Sequence, residues 1–252
     1  MNQMKGILCY FLLALMLLLQ SACKKTAEED HFAIGHEAYK NGNYIEAIQE
    51  YQFGLELSPD SHEMRIRYAN ILEDSGNFDD AIIQYKRVLE NRPKHVNAHI
   101  ELASIYRKKK EYDKAIELME KALKLKAGEG WIWNVAGNIY QESGDIVSSI
   151  KYFEKAACLD PSDSEFRTDL ANVYVKIGRE KDALVQFHYL YCLIDGLTGE
   201  NSSRYYPKEA QYASDMIKIL TREVEMKIEP PCIRGKDETR DFFCAEYFKE
   251  KD

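Results

Sequence analysis

Residues 41–61, NGNYIEAIQEYQFGLELSPDS, are echoed 34 residues later by residues 75–95, SGNFDDAIIQYKRVLENRPKH. Each stretch has a glycine in second place, Gly42 or Gly76, continues through Ala47 or Ala81 to Tyr51 or Tyr85, and carries Pro59 or Pro93 near its end. Carried outward, the register recurs five times. Ala47, Ala81, Ala115, Ser149 and Ala183 form one column of small residues, and Gly35, Ala69, Ala103, Gly137 and Ala171 form a second. Between the columns lies a turn slot of Gly42, Gly76, Lys110, Gly144 and Gly178. A fixed period of this length marks an array of repeated supersecondary units.

Each unit carries two apolar-periodic stretches around its turn, so the period predicts helical hairpins. Glycine ends the first helix in a left-handed cap without steric cost. Small residues on facing helices allow close approach, and Tyr51, Tyr85, Met119, Phe153 and Phe187 fill the space beside them as ridges in grooves. Pro59, Pro93 and Pro161 stop the second helix, with Ala127 and Asp195 in the same place of the other units.

This register resembles the tetratricopeptide repeat (TPR) over roughly residues 28–197. The resemblance implies an all-α fold: a right-handed α-solenoid of five tandem hairpins at 28–61, 62–95, 96–129, 130–163 and 164–197. A capping helix is expected within 204–229, where Ala210, Ala213, Ile217, Leu220 and Val224 form an apolar stripe, followed by a tail at 230–252 carrying Phe242, Phe243, Tyr247 and Phe248. Two departures stand out: Lys110 and Ala127 replace glycine and proline in the third unit, and Glu180 stands where the other units have Tyr44, Phe78, Tyr112 and Ile146.

The chain has 252 residues, 34 of them basic and 42 acidic, for a net charge of −8. Such a field repels a phosphate backbone, so nucleic acid is not an expected partner. Lys5 precedes an apolar run at 7–19, shorter than the roughly 20 residues of a spanning helix. Residues 1–22 therefore read as a signal peptide. The following LQSAC resembles the lipobox of bacterial lipoproteins, although Gln20 occupies a slot that favours an apolar residue. The resemblance implies lipid attachment at Cys23, a short tether over 23–27, and a place in the bacterial envelope facing the periplasm. Lys24 favours the outer membrane. Release after ordinary cleavage and an uncleaved anchor are the alternatives.

Cys158 and Cys192 lie 34 residues apart, in equivalent places of adjacent units whose helix axes are about 8–10 Å apart. Their Cα separation is expected to exceed the roughly 7 Å that a disulfide spans. Cys232 and Cys244 in the tail are a possible bridge in an oxidising compartment, the alternative being two free thiols.

No nucleophile elbow, dinucleotide fingerprint or phosphate loop is present, and no cofactor is implied. His95 and His99 are spaced i, i+4, but two ligands leave a metal site incomplete, so both are expected as solvated histidines between units. The acidic pair Glu73 and Asp74 is expected to be solvated surface. The array offers a groove lined by the first helix of each hairpin instead. Its candidate peptide-binding residues are His36, Tyr39, Asn70, Arg107, Lys108, Trp131, Asn134, Asn138 and Asn172. Amides can bond a peptide backbone and aromatics can cover its side chains. Asn70, Asn138 and Asn172 resemble the asparagine ladder of many TPR domains, whereas Thr168 and Asn134 stand where a chaperone-tail clamp would have lysine. The expected function is a non-enzymatic scaffold that binds a protein or peptide and supports assembly of an envelope complex. Its anchoring and size resemble the pilotin lipoproteins of type IV pili and, more loosely, the TPR lipoprotein of outer-membrane β-barrel assembly. The alternative is a regulatory or substrate-presenting subunit of an envelope enzyme.

Overall fold

The structure is a computed structural model that describes residues 30–198 and 207–224; the leader, Cys23, the tether and the tail with Cys232 and Cys244 lie outside them. The described residues form eleven helices and no strand. These are α1 (30–40), α2 (Tyr44–Leu57), α3 (His62–Asp74), α4 (Phe78–Asn91), α5 (Val96–Lys108) and α6 (Tyr112–Leu125). They continue with α7 (Gly130–Ser143), α8 (Ile146–Leu159), α9 (Ser164–Lys176), α10 (Glu180–Thr198) and α11 (Pro207–Val224). The chain parts into two compact units between Ile105 and Tyr106, inside α5. In the first, α3 packs on α2 and on α4; in the second, α6 through α11 each pack on the next.

The turn slot has one backbone solution. Gly42, Gly76, Gly144 and Gly178 have φ of 76°, 83°, 92° and 72°, and Lys110 joins them at 59°. Around Gly42 the Gly42 amide donates to the Tyr39 carbonyl and the Asn43 amide to the Ala38 carbonyl, both at 2.9 Å. The same pair of bonds links Lys110 to Arg107 and Glu111 to Tyr106, again at 2.9 Å. This is a Schellman closure, which needs a left-handed residue at its centre. The third unit keeps the turn and places a lysine in a conformation that costs a side-chain-bearing residue about 1–2 kcal/mol.

The small columns pack as their size dictates. Ala47, Ala81, Ala115, Ser149 and Ala183 are all fully buried, as are the large residues Tyr85, Phe153 and Phe187. A Cβ added at Gly137 would lie 2.7 Å from the Phe153 ring, and one at Gly35 would lie 2.8 Å from Tyr51. At those two positions any added side chain would have to push the facing ring aside.

A second column, invisible to apolar periodicity, clasps the two helices of a hairpin. A His31 ring N–H donates to Glu50 at 2.6 Å, Arg65 donates to Gln84 at 2.8 Å, and Arg167 donates to Gln186 at 2.9 Å. Each pair is 19 residues apart, and the rings of the equivalent Trp133 and Tyr152 meet tilted, with centroids 5.3 Å apart. Arg167 is 1% exposed and also lies 3.8 Å over the Tyr189 ring. Burial pulls its pKa below the ordinary arginine value.

Cys158 is buried and disulfide-bonded. It is the one cysteine whose side chain is among those described; the side chain of Cys192, to which the expected separation refers, lies outside them.

Candidate functional site

In the first unit the candidate face is built on α1 and α3. Tyr39 donates to the Asp74 carboxylate at 2.5 Å, tying the end of α1 to the end of α3. That bond, with desolvation second, pushes the Tyr39 pKa up to about 12. His36 is half-buried and stacks on Phe32 with ring centroids 6.5 Å apart. Asn70 is exposed, but its oxygen accepts the hydroxyl of buried Tyr85 at 2.5 Å.

An open depression of about 680 Å³ lies beside Asn70, lined among others by His62, Ile66, Arg67, Arg92 and His95. His95 accepts the Ala98 amide on Nδ1 at 3.1 Å, so its neutral ring carries hydrogen on Nε2. Burial and neighbouring positive charge lower its pKa.

Two expectations are corrected in this unit. His99 is 6% exposed rather than solvated, with Nε2 at 2.8 Å from the Pro93 carbonyl. It occupies the same repeat position as Arg65 and Arg167, which faces the hairpin interior. Glu73 is 9% exposed rather than surface, while Asp74 is exposed. Neighbouring residues on a helix diverge by about 100°, so one of the pair turns inward. Among the described residues no group of three or more histidine, cysteine or acidic side chains is arranged to hold a metal.

In the second unit the face runs along α7 and α9, with the end of α5 beside it. Arg107 pairs with Glu142 at 3.3 Å, and Lys108 is exposed. Trp131 is 40% exposed. Asn134 is 4% exposed, so this candidate is turned into the packing between helices rather than presented at the surface. Its Nδ2 donates to Asp169 at 3.0 Å, and the half-buried Asn138 donates to the same carboxylate oxygen at 3.4 Å. The Asn172 oxygen accepts the hydroxyl of Tyr212 on α11 at 2.7 Å. The capping helix therefore occupies the last rung of the asparagine ladder.

Three of these contacts share one offset: Tyr39 to Asp74, Arg107 to Glu142 and Asn134 to Asp169 are each 35 residues apart. The sequence reading missed Asp74, Glu142 and Asp169 as partners. Comparing each stripe residue with the position one repeat and one residue onward would have found them. Each joins two first helices inside its own unit and ties that unit's face together.

Family models described as tetratricopeptide repeat match residues 32–94, 69–130 and 132–163, together just over half of the chain. No curated protein sequence matches. Among solved structures, MamA 41-end from Desulfovibrio magneticus RS-1 is similar at 20% identity with a TM-score of 0.60, covering 66% of this chain and 94% of that one. TTC0263, a thermophilic TPR protein in Thermus thermophilus, is similar at 18% identity with a TM-score of 0.52, covering 79% and 100%. At these identities the likeness concerns the fold.

Proposed function

The chain belongs to the tetratricopeptide repeat family, and from that premise we propose that it is a non-enzymatic scaffold that holds a protein or peptide partner on its first-helix faces. The observation that carries the reading is the set of contacts 35 residues apart, which preform those faces and leave Trp131 and exposed Asn70 at the surface. A surface ordered before binding loses less entropy when a partner arrives.

The scaffold is an envelope lipoprotein anchored through Cys23, facing the periplasm and supporting assembly of an envelope complex. The short apolar leader and LQSAC support this placement. So does the disulfide at Cys158, since such bonds persist in oxidising compartments. Several acyl chains on one cysteine give stable anchoring without a spanning helix. No helix among the described residues is long and apolar enough to cross a membrane.

The test is crosslinking and affinity capture of the full-length protein, with Cys23→Ala and with Asn138→Ala plus Asn172→Ala. Partners that stay bound to the asparagine double variant sink the face reading. Fatty-acid label that persists in Cys23→Ala removes that cysteine as the sole lipid site.

A further inference from the structure

We infer that the α7–α9 face takes the positively charged side chain of a lysine or arginine from the protein partner, with Asp169 and Glu165 as its counter-charges and Trp131 as its wall. This rests on the reading of the first-helix faces as the partner surface and adds the chemistry of one subsite.

The acids come first. On the neighbouring first-helix contacts each carboxylate already has a partner: Asp74 takes the Tyr39 hydroxyl and Glu142 takes Arg107. Among the described residues Asp169 has only the two amides of Asn134 and Asn138, both on one of its oxygens. Glu165, one turn earlier on α9, is exposed, and neither acid forms an ion pair among the described residues. Partial burial and the nearby charges of Asp169 and Asp163 raise the Glu165 pKa, as expected where negative charge is not neutralised.

Asn134 supplies the independent sign. It is 96% buried, yet its Oδ1 has no hydrogen-bond partner. Its orientation is not interchangeable, because the reverse amide would set an oxygen against the Asp169 carboxylate. A buried, unpaired acceptor is uncommon enough to call for an explanation. It lies within one amide group of Asp169, so beside that carboxylate the cluster holds one acceptor more than its hydrogen bonds satisfy. An ammonium brings three N–H donors and a guanidinium five, whereas an anion brings none.

Trp131 stands one repeat before Glu165, in the same register of the adjacent first helix, and one turn before Asn134 on α7. An indole face covers a lysine or arginine stem and attracts the cation at its end.

The test uses the full-length protein in detergent and two labelled dodecapeptides, alternating glycine–lysine and glycine–glutamate, followed by fluorescence anisotropy at about 0.15 M salt, where screening acts beyond roughly 8 Å. Saturable binding of the lysine peptide is expected, weakened about 3-fold by Glu165→Gln and about 10-fold by Asp169→Asn. The charge-matched control Glu56→Gln with Glu90→Gln, both exposed and remote in sequence, is expected to change it by less than about 2-fold. Equal loss in the control, equal binding of the glutamate peptide, or no saturable binding overturns the inference. Should Asp169→Asn lose its helical circular dichroism, the exposed Glu165→Gln decides. A native partner released by the asparagine double variant but retained by Glu165→Gln with Asp169→Asn refutes the cationic subsite and leaves the partner surface standing. A partner retained by every variant refutes both.

Discussion

Tyr39 and Asp74 are joined by a hydrogen bond of 2.5 Å between two first helices, and that bond makes an exposed carboxylate part of the fold. With Asp74 ionised, the phenol holds its proton more tightly than a free tyrosine.

The Tyr39 pKa is raised from 10.0 to about 12 in the folded state. A raised folded pKa means that the bond's contribution is complete below the unfolded value and disappears as pH climbs through the folded one. Tyr39→Phe should therefore cost about 0.5–1 kcal/mol at neutral pH, and the cost should vanish between about pH 10 and 12. Denaturant unfolding of both proteins across that window checks it. In a difference titration at about 295 nm, the absorbance missing from the variant should titrate near 12; a midpoint near 10 removes the bond.

Lys110 carries the fold's one described side chain at positive φ. Lys110→Gly should raise stability by about 0.5–1 kcal/mol, the left-handed penalty relieved less the entropy that glycine loses on folding. Gly144→Ala, with nothing within 4 Å of the new Cβ, should lose about 1 kcal/mol through backbone strain alone. Thermal melts of the two variants should move in opposite directions, and movement the same way refutes the argument.

Gly137 is governed by space rather than φ. Gly137→Ala gains about 1 kcal/mol of helix propensity but forces the Phe153 ring to move, at a typical cost of about 1–3 kcal/mol. A net loss is expected. Phe153→Leu in the same chain should make the alanine less damaging than it is alone, and strict additivity in that double-mutant cycle would falsify the contact.

Arg167 and Arg65 hold the same repeat position but differ in burial. Arg167→Ala should cost about 3 kcal/mol, since it empties a buried site and strands Gln186. Arg65→Ala should cost under about 1 kcal/mol, because water can replace it at Gln84. Equal losses in urea unfolding contradict the ranking.

The repeat was legible because each hairpin is held by contacts within about 20 residues, and those recur with the period. Turn glycines, small columns and their large neighbours follow from steric rules that act on one residue at a time, so Lys110 could be placed in a turn before its φ was seen. The polar residues of the stripe were legible as a set and not as individuals. His99, Glu73 and Asn134 read as exposed by type, yet each is buried.

From its period alone the chain determined its helices, their turns and the side on which they pack, because backbone geometry and side-chain volume act locally. Tertiary structure decided which groups of the face are already used: the Asn70 oxygen by Tyr85, Asn172 by Tyr212 of the capping helix, Asn134 by Asp169. Those partners are 15, 40 and 35 residues away, on other helices. A hydrogen bond depends on where two helices bring their side chains in space, and no periodicity along one helix encodes that.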